Sequence, residues 1–337
     1  VSDSGNKYRF DDFGTSAVTL DLQEGGTYTF DQSDSSNATH PLRFYTAADK
    51  TGGEYTTGVT TNGTPGSSGA YTRITVAASA PTLYYQCSAH AAMGGQVNTN
   101  STFGSSNFSG TIQSTVSANS TAGFSIVKYT GTGSNATVGH GLNTAPKIIL
   151  IKNRDAAHSW SVYSKHIGNT KYLKLDTNST EDTNATRFNS TDPTSTVFSL
   201  GTHGSGNASG EEFIAYCFTD VNGYSKFGTY TGNGNADGTF VYTGFKPAFF
   251  LVKAIDSVQD WFIYDNKRET YNLMQTRLRP STSDAENTNA AYYMDFLSNG
   301  FKLYATNAGF NGSGINYIYM AFGQSLVGSN NIPATAR

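Results

Sequence analysis

Tyr129-Thr-Gly-Thr-Gly133 recurs as Tyr230-Thr-Gly-Asn-Gly234, and the reading of that pair decides the fold of most of this 337-residue chain. The same offset of 101, without a gap, aligns Pro146 with Pro247, Lys152 with Lys253, Asp155 with Asp256, Trp160 with Trp261 and Tyr163 with Tyr264. The only two tryptophans therefore occupy one place in two copies. Further on, Phe213-Ile-Ala-Tyr-Cys-Phe218 matches Tyr317-Ile-Tyr-Met-Ala-Phe322 at a slightly longer offset, so the second copy carries a short insertion in its middle. Coincidences this dense, in register, mark a duplicated unit.

Each copy reads as strands. Ile148-Ile-Leu-Ile151 and Phe249-Phe-Leu-Val252 are continuous apolar runs soon after a proline, the pattern of strands covered on both faces. Ser159-Trp-Ser-Val-Tyr163 alternates, which predicts Trp160 and Val162 on one face; Trp261 and Ile263 repeat it. Leu173 and Leu175 alternate with Lys174. Phe213 to Phe218 predicts a buried final strand, with Cys217 as a small core residue. Gly-Asn and Asn-Gly pairs supply the turns. The expected fold class is all-β, with β-sandwich or jelly-roll-like repeats at residues 124–222 and 223–328 and a polar tail at 329–337. The alignment leaves open whether the copies are separate sandwiches or halves of one.

Composition agrees. Charged residues make up 14% of the chain, about half the usual share. Gly, Ser, Thr and Asn replace them, and 13% aromatics exclude a disordered polar tract. The net charge of −3 and the lack of a basic run argue against nucleic acid as a partner. No apolar run is long enough to insert in a membrane as a helix. The two cysteines, Cys87 and Cys217, fall in different expected domains, so no disulfide joins them in this reading.

Residues 1–100 share none of the repeat. Residues 18–30 alternate into Gly25-Gly-Thr-Tyr-Thr-Phe30 and read as a hairpin. Strands follow at His40-Pro-Leu-Arg-Phe44 and Tyr71-Thr-Arg-Ile-Thr-Val76. The segment Thr82 to Gly95 then carries Cys87-x2-His90-x2-Met93, with His40 on the earlier strand. A thiolate, two imidazoles and a weak axial thioether form the trigonal blue-copper ligand set. The bland reading of the same residues is a loop and core without a metal. This order of residues resembles the cupredoxin family, and Tyr85, two residues before the cysteine, fits as well. Pro41, directly after the first histidine, departs from the family's commonest pattern. The resemblance implies a Greek-key sandwich over residues 1–100, with copper held by His40, Cys87, His90 and Met93. Residues 101–123, rich in Ser, Thr, Asn and Gly, read as an extended linker.

Other constellations carry less. Asn233-Gly-Asn-Ala-Asp237-Gly238 starts like a calcium loop but has Gly244 at the twelfth position, so a polar turn is expected. Asp155 with His158 and Asp256 with Asp260 precede the tryptophans, yet Gln259 stands opposite His158, which suits exposed loops. His140 and His203, in Gly-rich stretches, read as surface residues. No nucleophile elbow, phosphate loop or zinc-protease motif occurs, so the chain is expected not to be an enzyme.

The C-terminal region resembles a tandem domain of unknown function found in virion and tail-associated proteins of marine tailed phages. Tyr172-Leu-Lys-Leu175, Tyr224-Ser-Lys-Phe-Gly-Thr-Tyr-Thr-Gly232, Phe240-Val-Tyr-Thr-Gly-Phe-Lys-Pro247, Asp295-Phe-Leu-Ser-Asn-Gly-Phe-Lys302 and Leu326-Val-Gly-Ser-Asn-Asn-Ile-Pro333 carry the likeness. The front module is similar to modules in such proteins. The resemblance implies a virion structural protein on the particle surface: a fibre, tail appendage or capsid decoration. Its expected partners are other virion proteins and copies of itself. Two other functions stay open at this stage: a module whose Tyr-rich loops bind a host surface glycan, and a secreted blue-copper electron-transfer protein.

Overall fold

The structure, a computed structural model, describes residues 5–99 and 104–323. It divides into two compact units, up to Ser117 and from Ala118. Both are β-sandwiches, as the all-β expectation requires. The expected tail at 329–337 lies outside the described residues.

The first unit contains β1 (Leu20–Asp21), β2 (Thr27–Asp31), β3 (Leu42–Tyr45), β4 (Val59–Asn62), β5 (Tyr71–Thr75), β6 (Leu83–Cys87), β7 (Gln96–Asn98), β8 (Ser105–Asn107) and the start of β9 (Ser114–Asn119). One sheet runs β1-β7-β6-β3 and the other β2-β5-β4. Alternation places the core between them: Thr72 and Ile74 of β5 are buried while Arg73 and Thr75 are exposed. Leu20, Leu42, Phe44, Ile74, Leu83, Tyr85, Cys87 and Val97 fill that core.

Two expectations for this unit need correction. Residues 18–30 are not a hairpin, because β1 and β2 lie in different sheets. Leu20 pairs with Val97 of β7, in parallel. Leu20 and Leu22 are both buried, and the chain crosses to the second sheet through a turn where Gly25 takes a φ of 75°. Residues 101–123 are also not wholly a linker. Residues 105–107 and 114–116 pair as a hairpin, from Ser105 opposite Val116 to Asn107 opposite Ser114. Its polar side chains work as hydrogen-bond groups: Asp21 N–H donates to Ser106 Oγ at 2.8 Å, and Thr115 Oγ1 donates to Asp21 Oδ2 at 2.7 Å. Composition suggested a linker, but those same hydroxyls fasten the segment to β1.

The second unit holds the duplication. The first copy contains β10 (Phe124–Thr130), β11 (Ala136–Gly139), β12 (Ile148–Asn153), β13 (Ser161–Ser164), β14 (Lys171–Lys174), β15 (Asp182–Thr183), β16 (Val197–Leu200) and β17 (Glu212–Phe218). The second contains β18 (Ser225–Thr231), β19 (Phe240–Tyr242), β20 (Pro247–Ala254), β21 (Phe262–Asp265), β22 (Thr276–Arg277), β23 (Asn287–Thr288), β24 (Met294–Leu297), β25 (Gly300–Leu303) and β26 (Asn316–Gly323). The large sheets repeat one order, β13-β12-β17-β10 and β21-β20-β26-β18. Smaller sheets accompany them: β11-β16 in the first copy and β19-β25-β24 in the second.

The question of separate sandwiches or one larger body has a definite answer: each copy packs its own core, and a third core joins them. In β20, Phe250, Val252 and Ala254 face the second copy's own core. Leu251 of the same strand faces a cluster with Ile148, Val162, Ile167 and Leu173 of the first copy. β26 divides likewise, with Tyr317, Tyr319 and Ala321 on one side and Ile318 and Met320 on the other. The unbroken apolar runs are thus strands covered on both faces, as read from the sequence.

The tryptophans part company here. Trp261 is 1% exposed, sits in the joining core and donates from Nε1 to the Lys174 carbonyl of the other copy at 2.8 Å. Trp160 is half-buried and stacks on Tyr216, with ring centroids 6.1 Å apart. The junction is therefore not two-fold symmetric.

Candidate metal centre

His40 enters the first unit just before the edge strand β3, and Pro41 precedes the ladder, where its missing N–H costs nothing. Cys87 ends β6, directly opposite Leu42 in the β3–β6 ladder. That register brings the two ligand positions together across a gap of 47 residues. After Cys87 the chain turns through His90 and Met93 and returns close along β6. A Cβ on Gly94 would come within 1.6 Å of the Tyr85 carbonyl oxygen, so only glycine fits that return.

The ligand atoms of His40, Cys87 and His90 all lie within 4.8 Å of one another. Cys87 Sγ is 3.5 Å from His90 Nδ1 and 3.8 Å from His40 Nδ1. Metal–sulfur bonds of about 2.3 Å and metal–nitrogen bonds of about 2.0–2.1 Å, at trigonal or tetrahedral angles, separate S and N by roughly 3.5–3.8 Å. Both Nδ1 atoms converge on this sulfur, at spacings that a shared ion would set. The residues present therefore fit a metal with soft and imidazole donors. Cys87 and Met93 are buried, His40 is half-buried and His90 is exposed. Met93 borders the same cavity as His40 and Tyr8. All four residues read from the sequence thus lie in one region.

Supporting groups escaped the sequence reading. Tyr8 Oη and Gln32 Nε2 both donate to the His40 carbonyl, at 2.7 and 3.0 Å. Lys50 Nζ donates to the carbonyls of Cys87, Ser88 and His90 at 3.2, 3.2 and 3.5 Å, pinning the ligand turn. The His90 N–H donates to Cys87 Sγ at 3.3 Å, which fixes the sulfur within the turn. Burial, and then the neighbouring His90, hold the His40 imidazole below its ordinary pKa, which favours the neutral, ligating form. Burial pushes the Tyr8 phenol far up, with Cys87 adding to it, so Tyr8 acts only as a neutral donor. These residues are far apart in sequence and follow no spacing rule; Gly94-Gly95 after Met93 was the one local signal.

The family described as Domain of unknown function (DUF7483) matches residues 97–325, more than half of the chain. The chain belongs to the DUF7483 family. No match was found among curated proteins or solved structures. The DUF7483 match covers both copies and begins after Met93, so the metal centre stands on its own geometry.

Within the DUF7483 region the Tyr-Thr-Gly-x-Gly motif has a structural task, performed identically in both copies. Tyr129 Oη donates to the Gly206 carbonyl, and Tyr230 Oη to the Phe310 carbonyl, both at 2.7 Å. The next residue is an asparagine each time. Asn207 Oδ1 accepts from Thr132 N–H at 2.8 Å, and Asn311 Oδ1 from Asn233 N–H at 3.1 Å. A Cβ on Gly131 or Gly232 would meet the carbonyl oxygen just beyond that asparagine, at 2.2 or 2.3 Å. Asn311 Nδ2 also donates to the carbonyls of Asn235 and Ala305 at 3.0 and 2.8 Å. The calcium-like stretch is therefore a turn stitched to Asn311, as expected. Asn311→Ala should cost about 2–4 kcal/mol in urea unfolding, because buried amide and carbonyl groups lose their partners. A cost below about 1 kcal/mol would refute that account. The two asparagines were legible as a late match between the copies.

The other titratable residues singled out in the sequence serve the scaffold. Asp155 accepts from the Glu212 N–H at 2.7 Å, and Asp256 from the Asn316 N–H at 3.1 Å, so the matched aspartates tie an exposed loop to the last strand. His140 is not a surface residue. It is fully buried, its Nδ1 accepts from Leu142 N–H at 3.2 Å, and its Nε2 lies 3.2 Å from the Thr194 carbonyl. His203 is half-buried and accepts from Ser205 N–H at 3.1 Å. In both, the ring takes over the turn's free backbone groups. Cys217 is fully buried and burial pushes its thiol up to about 12, which leaves it inert. Among the described residues no helix is long and apolar enough to cross a membrane.

Proposed function

We propose that this chain is a non-enzymatic structural protein on the surface of a tailed-phage virion, as a fibre, tail appendage or capsid decoration. It works by assembly and surface contact with other virion proteins and copies of itself. The observation that carries this reading is the core joining the two copies, where Trp261, Leu251, Ile318 and Met320 of one meet Ile148, Val162 and Leu173 of the other. Two sandwiches fused in this way form a stiff body, which suits load-bearing contacts. A cryo-EM map of the parent particle should show this chain at its surface. Particles that lack the chain would sink the reading.

A second reading is favoured by the convergence of His40, Cys87 and His90: the first unit would hold copper through these three, with Met93 nearby as a weak thioether donor. When bound, copper would supply one-electron chemistry or act as a clip on the loop. Cys87 would supply the sulfur and His40 and His90 the imidazole donors, while Lys50, Gln32 and Tyr8 hold the backbone that presents them. Copper(II) added to the purified protein should give an intense visible thiolate-to-copper band, absent in Cys87→Ala. A colourless protein would exclude this reading, and with it a secreted electron-transfer role.

A further inference from the structure

The outer face of sheet β19-β25-β24 is built unlike its counterpart in the first copy. Cross-strand register puts Phe240, Lys302 and Asp295 in one row. Tyr242 lies beyond Phe240 and opposite Gly300. On the other flank Tyr293 and Tyr304 stack, with ring centroids 5.7 Å apart and planes 9° from parallel. Phe240 and Tyr242 are 45% and 60% exposed. The matching strand of the first copy, β11, reads Ala136-Thr-Val-Gly139 and carries no ring. The first copy builds its small sheet without these aromatics, so the scaffold does not require them. Exposed aromatics grouped on one face point to a ligand.

The centre of the face is polar. Lys302 Nζ is 2.6 Å from Asp237 Oδ1 and donates to the Gly238 carbonyl at 3.3 Å. It also lies 5.7 Å from the centre of the Tyr304 ring. Asp295 is half-buried beside Tyr304, and its carboxylate adds to burial in raising that phenol's pKa. Lys226 Nζ donates to the Tyr242 carbonyl at 3.1 Å and lies 5.4 Å from the centre of that ring, so two ammoniums and two carboxylates leave the patch without net charge, which suits a neutral ligand. The patch combines flat apolar rings with an exposed donor and acceptor pair, Lys302 and Asp237.

We propose that this face binds a neutral saccharide chain. A pyranose has a C–H face that stacks on an aromatic ring and a rim of hydroxyls that both donate and accept. Phe240 and Tyr242 offer the rings; Lys302 donates to the rim, and the exposed Asp237 carboxylate accepts from it. The shallow sheet face suits a polymer lying along the surface. The proposal rests on the reading of the chain as a contact protein, but its experiment uses purified protein, so it can fail while the particle location stands.

The test is affinity electrophoresis of the full chain in gels containing a glucan, a mannan, a galactan or an acidic uronan. A neutral polysaccharide should retard the wild type. Phe240→Ala and Tyr242→Ala should each weaken that affinity by roughly tenfold, the loss of one well-packed ring contact. Both positions are exposed, so the unfolding midpoint should not move. No retardation by any neutral polymer, equal retardation of the variants, or stronger retardation by the uronan would overturn the proposal. So would a change of oligomeric state in either variant, which would make the face a contact between copies.

Discussion

Trp261→Ala is expected to destabilise the second unit by about 3–5 kcal/mol, the range for removing a fully buried indole. The ring is 1% exposed, fills the core between the copies and holds the Lys174 carbonyl through Nε1. Its loss leaves a cavity at the junction and an unpaired carbonyl. Trp160→Ala, at the matched place, should cost about 1 kcal/mol, because that ring is half-buried against Tyr216. Urea unfolding of both variants gives the comparison. Equal losses would show that the junction is not the asymmetric core described above.

The second large effect concerns Lys253, which the repeat aligns with Lys152. Lys152 is half-buried, whereas Lys253 is fully buried and its pKa is pushed down to about 8 by burial, with Asp260 opposing in part. Its Nζ donates to the carbonyls of Ala254 and Asn178, at 2.7 and 3.4 Å. An unfolded lysine keeps a pKa of about 10.4. Below pH 8 both states carry the proton, and the folded state bears the full cost of a buried charge. Between about pH 8 and about pH 10.4 the unfolded state binds more protons, so stability rises with pH. From pH 7 to pH 9.5 this group alone should add about 2 kcal/mol. Buried tyrosines such as Tyr230 and Tyr317 titrate above their ordinary range and act oppositely, but only as unfolded tyrosine ionises near about pH 10. The measurement is therefore the difference between wild type and Lys253→Met across pH 7–9.5. The variant should lack the rise and should be at least as stable at pH 7, since a buried ammonium is replaced by an apolar chain. Parallel pH curves would count against a buried lysine.

Much of the second unit was legible because both copies obey the same local rules. Ile148 to Ile151 and Phe249 to Val252 lack polar alternation, and each strand does lie between two layers. The hairpin read at 18–30 failed because alternation marks a strand but not its partner: Leu20 finds Val97 in parallel, a contact with no local signature. His140 failed for a related reason. Neighbouring glycines suggested a surface loop, but an imidazole can satisfy a buried turn when the chain folds back over it.

The metal centre divides in the same way. The spacing Cys87-x2-His90-x2-Met93 put three candidate ligands on one turn, and His40 on an earlier strand supplied the second imidazole of the set. The β3–β6 register then placed His40 Nδ1 3.8 Å from Cys87 Sγ. Tyr8, Gln32 and Lys50 became visible only there, because a hydrogen bond to a backbone carbonyl sets no rule on sequence.

By itself the sequence determined that this chain is all-β and duplicated, since alternation, turn residues and a gap-free register are local or self-referential properties. Only the tertiary structure decided that the copies share a third core, that Trp261 and Lys253 are sealed in it or beside it while Trp160 and Lys152 are not, and that Phe240 and Tyr242 face solvent. Burial depends on which faces meet, and identical strands have identical faces until one packing arrangement makes them unequal.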